Sequence, residues 1–203
     1  MLITLDSLII KYNIIFTGIL HVGAHECEEL QDYEKYIDRS KILWVEAIED
    51  KIKLCKDRYP NLLIEQAVVS DIEELIKFNI SNNGQSSSIL ELELHKQYHP
   101  WVHYVDHFYQ TSKLLKNIIV NYNIPFNFIN LDIQGAELKA LKGLGDYLNQ
   151  IDYIYTEVNN NYVYTDCALI NEIDEYLKNY NFIRVETKMT DCCWGDAFYV
   201  KNK

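Results

Sequence analysis

The densest run of chemically capable residues is Asn130-Leu131-Asp132-Ile133-Gln134-Gly135-Ala136-Glu137. An apolar stretch delivers Asp132 at its end, Gly135 permits a tight turn, and Glu137 falls in the first turn of the helix that follows. Asp132 there can orient the cationic end of a cofactor or bind a metal, whereas Glu137 is equally well explained as a partner of the helix dipole. A second acid, Glu46, closes the apolar run Ile42-Leu43-Trp44-Val45. A carboxylate at the end of a buried strand needs good donors, and the vicinal hydroxyls of a ribose supply two. Neighbouring backbone amides are the plainer alternative.

Gly23 and Ala24 close an earlier apolar run, with His21 and His25 at the same rim. Small residues at a strand-to-helix turn let a ligand approach the backbone, although such a turn also forms without one. The glycine pattern of dinucleotide binders is absent, so no phosphate cradle is spelled out. Glu157 and Asn159 end a further apolar run and face the same side as Asp132. His95, His99, His103 and His107 recur at every fourth position, but Pro100 interrupts them. A helix end followed by a strand is favoured over a four-histidine array, and no metal is expected.

The elements that must hold these residues alternate. Residues 2–12 read as a helix on the sheet, 14–22 as a strand buried on both faces, 26–37 as a helix and 42–46 as a strand. A helix over 49–59 stops at Pro60, a strand follows over 62–69, and 76–80 is an added strand. The Asn-Gly-Ser segment 82–88 is a loop, and 101–109 is extended. A helix over 111–122 with Thr111 as cap leads to a strand over 126–132, a helix over 135–148 and a strand over 153–158. A helix over 167–180 and strands over 182–187 and 197–200 finish the chain. This alternation predicts a single α/β Rossmann-like domain over residues 1–203: a seven-stranded, mostly parallel sheet with an antiparallel C-terminal strand, helices on both faces, and residues 1–13 as an N-terminal helix.

A net charge of -11 argues against broad attraction to nucleic acid or to an anionic membrane, since both need clustered lysine and arginine. Asp6, Lys11 and Asn13 interrupt the apolar start, so neither a signal peptide nor an anchor is expected. Five cysteines, an odd number that includes the adjacent pair Cys192 and Cys193, suit a reducing compartment, and the expectation is the cytoplasm. Homo-oligomer formation is left open.

With these residues in place, the sequence resembles the FkbM family of S-adenosylmethionine-dependent methyltransferases. The matches are Val22-Gly23-Ala24, Glu46, Ser86-Ser87-Ser88-Ile89, Asp132-Ile133-Gln134-Gly135-Ala136-Glu137 and Leu141-Lys142-Gly143. The departures are His21 for the family's aspartate, His25-Glu26-Cys27 for its Asn-x-Gly, and Gln134 for its central glutamate. Thr156-Glu157-Val158-Asn159 and Trp194-Gly195-Asp196-Ala197 look like motifs of a subgroup sharing the histidine loop, so the departures read as subgroup variation. The alternative is a methyltransferase-like binding module without activity. The resemblance implies O-methylation of a sugar, glycan or small-metabolite hydroxyl, with S-adenosylmethionine held by His21, Gly23, Ala24, His25, Glu46, Ala47, Ser70 and Asp132. Asp132, Glu157 and His95, in that order, are the candidates for orienting the hydroxyl or taking its proton, with a positioning role favoured for Asp132 beside a cation.

Overall fold

Strand β1 (Ile19–Val22) is buried along its whole length. Its side chains alternate between two cores, with Leu20 and Val22 facing one and Ile19 the other. The first core packs the sheet against α5 (Leu115–Ile119), α6 (Glu137–Leu144) and α7 (Ile170–Lys178). The second packs it against α1 (Leu5–Tyr12), α2 (Leu30–Tyr33) and α3 (Glu49–Arg58). Burial on both faces explains why the strand reads as an unbroken apolar run. The computed structural model describes residues 1–202.

The seven-stranded sheet has the order β3-β2-β1-β6-β7-β9-β8. Strands β2 (Ile42–Glu46), β3 (Leu63–Gln66), β6 (Phe128–Leu131) and β7 (Tyr153–Asn159) run parallel to β1, and β9 (Trp194–Lys201) inserts antiparallel between β7 and β8 (Phe182–Met189). The chain order reverses between β1 and β6, so the carboxyl ends of β1, β2, β6 and β7 open onto one crevice. The expected fold class is the observed one. The added strand and the extended segment pair with each other instead, as β4 (Leu75–Ser81) and β5 (Tyr104–Thr111) in a separate two-stranded antiparallel sheet. Among the described residues no helix is long and apolar enough to cross a membrane.

Several boundaries differ from the sequence expectation for local reasons. The first strand begins at Ile19, because the Asn127 side chain ties down the preceding segment, accepting from Thr17 N and donating to Ile15 O (both 2.9 Å). The second helix shrinks to Leu30–Tyr33, because His25 and Cys27 take positive φ angles of 42° and 58° and the chain turns there. Thr111 belongs to β5 and caps nothing; α5 starts at Leu115, after Ser112 has bonded Ile72 O (2.7 Å). Helix α6 ends at Leu144, and a 3-10 segment, Gly145–Gln150, completes the connection. A side chain at Gly143 would meet Ser70 O at 2.6 Å, so the Leu-x-Gly motif is a packing requirement between α6 and the chain after β3.

Candidate active site

The crevice has a volume of about 570 Å³ and is lined from β1, β2, β6, β7 and β9, the loop 83–87 and the segment 95–102. That size suits a small-molecule ligand. On one side the Glu46 carboxylate accepts three backbone N–H groups, from Ala47 and Ile48 at Oε1 (both 2.9 Å) and from His25 at Oε2 (2.7 Å). Burial pushes its pKa up and these donors oppose the shift. A carboxylate has about four acceptor sites, so three amides orient Glu46 and leave Oε2 able to accept once more. Both sequence readings of this residue are therefore compatible.

Gly23 has φ +92°, and a Cβ there would lie 1.8 Å from Asp132 O. Its role is close approach of β1 to the end of β6. Ala24 faces the second core and does not line the crevice. His21 lines it but is tethered from behind, with Nδ1 3.0 Å from the Tyr33 hydroxyl and its ring stacked on Trp44 at 4.4 Å. Burial lowers its pKa to about 3, so His21 is neutral. His25 joins Nδ1 to Glu28 Oε1 at 2.6 Å, while its buried Nε2 has no partner. Ser70 lies outside the lining residues, and its hydroxyl donates to Asp71 Oδ1 (3.1 Å). The expectation that Ser70 touches a cofactor is corrected: β3 ends four residues earlier, and the chain has turned beneath α6 by position 70.

Across the crevice Gln134 joins two acids. Its Nε2 donates to Asp132 Oδ1 (2.6 Å) and Glu157 Oε2 (2.9 Å), and its Oε1 accepts from the Tyr164 hydroxyl (2.6 Å). A glutamate at position 134 would place a third carboxylate where the structure needs a donor, which gives the departure a physical reason. Asp132 is open to the crevice, and desolvation raises its pKa to about 6. Glu157 is buried, and desolvation followed by the Asp132 charge raises its pKa well above the carboxylate range. Asp196, opposite Glu157 in the β7–β9 register, accepts from Leu2 N (2.5 Å) and from the Tyr155 hydroxyl. Asn130 is 2 % exposed and lines the same wall, with Oδ1 unpartnered. Asp196, Tyr164 and Asn130 had no assigned role in the sequence reading.

Glu137 turns inward instead of serving the helix dipole from the surface. Its Oε1 accepts Ile133 N (2.9 Å) and Gly135 N (3.2 Å), closing the turn that carries Gln134. Burial raises its pKa to about 7. A carboxyl with a raised folded pKa stabilises the fold fully below the unfolded value of about 4.3, and that contribution is lost as pH climbs through the folded value. Glu137→Gln keeps an acceptor and removes the titration. Melts of the ligand-free protein should therefore lose up to about 3 kcal/mol less between about pH 5 and about pH 8 in the variant than in the wild type. An unchanged pH slope would reject this role.

The segment after α4 (His95–Tyr98) closes the far side. His95 is buried, lines the crevice and has no partner at Nδ1, and burial lowers its pKa to about 4. The helix stops at Tyr98 and His107 lies in β5, so the four histidines share no face. Among the described residues no three histidine, cysteine or acidic side chains are grouped to hold a metal ion.

A family model described as the methyltransferase FkbM domain matches residues 21–184. The chain belongs to the FkbM methyltransferase family. Similar solved structures include magnesium protoporphyrin IX methyltransferase (ChlM) from Synechocystis PCC 6803 with bound SAM, at TM-score 0.53 and 9 % identity, covering 97 % of this chain and 76 % of that one. Another is TrmK from M. capricolum in complex with S-adenosyl-homocysteine, at TM-score 0.51 and 8 % identity, covering 100 % and 70 % respectively. At such identities the likeness is one of fold. A search of curated proteins returns no match.

The family's cofactor is S-adenosylmethionine, and the residues present fit it. Glu46 retains acceptor capacity at the end of β2, Ala47, Ile48 and Val68 give an apolar wall beside it, and Asn130 Oδ1 and His25 Nε2 are buried polar atoms lacking partners. An acidic wall, Asp132, Glu157 and Asp196, stands across the crevice from Glu46.

Proposed function

We propose that this FkbM-family methyltransferase methylates a hydroxyl of a sugar, a glycan or a small metabolite. The observation that carries this reading is His95, a buried neutral imidazole in the crevice wall with an unsatisfied Nδ1. A neutral imidazole nitrogen either donates or accepts, and a hydroxyl answers both. At the mouth Trp101 is 66 % exposed yet lines the crevice, packed edge-on to His99 at 5.4 Å. Its flat apolar face suits the apolar face of a sugar ring.

In this reading Glu46 holds the ribose, with Gly23, Ala47, His21 and His25 forming the surrounding wall, and Asp132 faces the sulfonium end. When bound, S-adenosylmethionine supplies an electrophilic methyl group. His95 orients the acceptor hydroxyl. With a pKa near 4 it retains a proton poorly, so the proton passes to Glu157, whose proton affinity is raised by burial and by Asp132. This ordering puts Glu157 and His95 ahead of Asp132, which positions.

Incubation with S-adenosylmethionine and a panel of neutral monosaccharides, oligosaccharides and hydroxylated metabolites tests the reading. The expected product is a methyl ether, with His95→Ala lowering turnover by about a hundredfold while cofactor affinity is kept. Methylation confined to nitrogen or carbon would overturn it, and so would cofactor binding without turnover across the panel, which is the behaviour of a binding module.

A further inference from the structure

The wall facing Glu46 is built from acids on three adjacent strands. Asp132 follows β6, Glu157 lies in β7, and Asp196 pairs with Glu157 from β9. Among the described residues lining the crevice there is no lysine or arginine. The groups acting on Glu157 are Asp132 and Gln134 from the turn after β6, Glu137 from α6 and Asp196 from β9. Tyr164, in the connection after β7, completes the bridge through Gln134. Every ionisable partner in that set is acidic or neutral; the Met1 ammonium also lines the crevice, 3.7 Å from the Glu29 carboxylate, and it acts on Asp132 by lowering its pKa. Independently of the acids, Asn130 offers the crevice a buried carbonyl oxygen with no donor. Carboxyl groups and an unpaired carbonyl together describe a wall that is satisfied by positive charge.

We propose that this wall senses the charge of the cofactor's sulfur: Glu157 gives up its proton when the sulfonium form enters and holds a proton once the methyl group has left, with Gln134 as the positioning residue. The inference rests on the cofactor placement and proton route proposed above. Methyl transfer breaks the carbon–sulfur bond, leaves its electron pair on sulfur and forms a carbon–oxygen bond. The hydroxyl proton is then the remaining positive charge, and Glu157 keeps it in the crevice.

The physical basis is the crowding of like charges. Without a cation, ionising Glu157 beside Asp132 and Asp196 is opposed by burial and by repulsion. A positive sulfur at close range reverses that balance. A neutral thioether does not. Gln134 keeps Asp132 and Glu157 together by donating to both from one nitrogen, so the two acids respond as a pair. The cofactor and its demethylated product differ only in the methyl group and the charge on sulfur, so the wall distinguishes them at the atom where the reaction occurs.

Calorimetry on the full chain, in two buffers of different ionisation enthalpy, counts the protons exchanged on binding S-adenosylmethionine, S-adenosylhomocysteine and sinefungin, an analogue with an ammonium group near the sulfur position. The two cationic ligands should release up to about one proton per site and the neutral one none, and the affinity ratio of cofactor to product should rise by up to about tenfold per pH unit while Glu157 titrates. Glu157→Gln should remove the release, whatever its effect on affinity. Gln134→Ala should keep the release but move its midpoint to higher pH, a shift that loss of packing alone does not produce. Equal proton counts for cofactor and product would overturn the inference while leaving the cofactor placement standing. Absence of binding by all three ligands would overturn both. The wild-type counts decide the matter even if a variant does not fold.

Discussion

Replacing Glu46 with alanine is expected to weaken S-adenosylmethionine binding by at least about a hundredfold, or about 3 kcal/mol. Two losses combine. The acceptor for a ribose hydroxyl disappears, and the amides of His25, Ala47 and Ile48 lose the carboxylate that gathers them. The second loss loosens the turn after β1 together with the start of α3, so both halves of the ribose wall are affected. Glu46→Gln separates the contributions, because its amide oxygen still accepts while its NH₂ group opposes a neighbouring N–H. Binding of the Gln variant should fall between wild type and the Ala variant. Titration calorimetry reads the affinities, and a thermal melt without cofactor shows how much of the change comes from the fold. Wild-type affinity in Glu46→Ala would remove this residue from the cofactor site.

Gly23→Ala should be the most damaging single change to the fold of the site. The new Cβ would lie 1.8 Å from Asp132 O and 2.7 Å from its carbonyl carbon, both backbone atoms of the residue that follows β6, the strand neighbour of β1. The φ of +92° adds backbone strain for any side chain. No rotamer relieves a Cβ clash, so the ends of β1 and β6 must separate, at a cost of about 3 kcal/mol or more. Gly145→Ala is the control. It also has positive φ, at +53° with ψ -132°, but nothing lies within 4 Å of its Cβ position, so only backbone strain of about 1–3 kcal/mol, with no clash added, is expected. Denaturant unfolding of the two variants measures the contrast. Equal destabilisation would mean that the close approach of β1 to β6 is not what requires glycine at position 23.

How far the sequence discloses this arrangement depends on the range of the interactions. The strand Ile42–Glu46 is read residue for residue, because a buried strand with an acid at its end is a local pattern. Residues 26–29 are misread as helix, because the form of this turn depends on positive φ angles at His25 and Cys27, residues that do not advertise them as glycine does. The tie between Gln134 and Glu157 requires β6 and β7 to be neighbours, and Asp196 joins them only because β9 inserts between β7 and β8. Those are consequences of sheet order, and no spacing along the chain carries them. Glu137 shows the converse error: the first turn of a helix suggests a dipole partner, yet its side chain folds back onto Ile133 N and Gly135 N. Ala24 and Ser70 sit beside the site in sequence but face the core and Asp71 in space.

The central claim is that one crevice holds the cofactor between Glu46 and the acidic wall of Asp132, Glu157 and Asp196. A crystal structure of the protein grown with S-adenosylhomocysteine tests it most directly. Ribose hydroxyls are expected within hydrogen-bond distance of the Glu46 carboxylate, the adenine against Ala47, Ile48 and Val68, and the sulfur turned towards Asp132 and Glu157. A ligand bound outside this crevice, or one whose ribose makes no contact with Glu46, would contradict it.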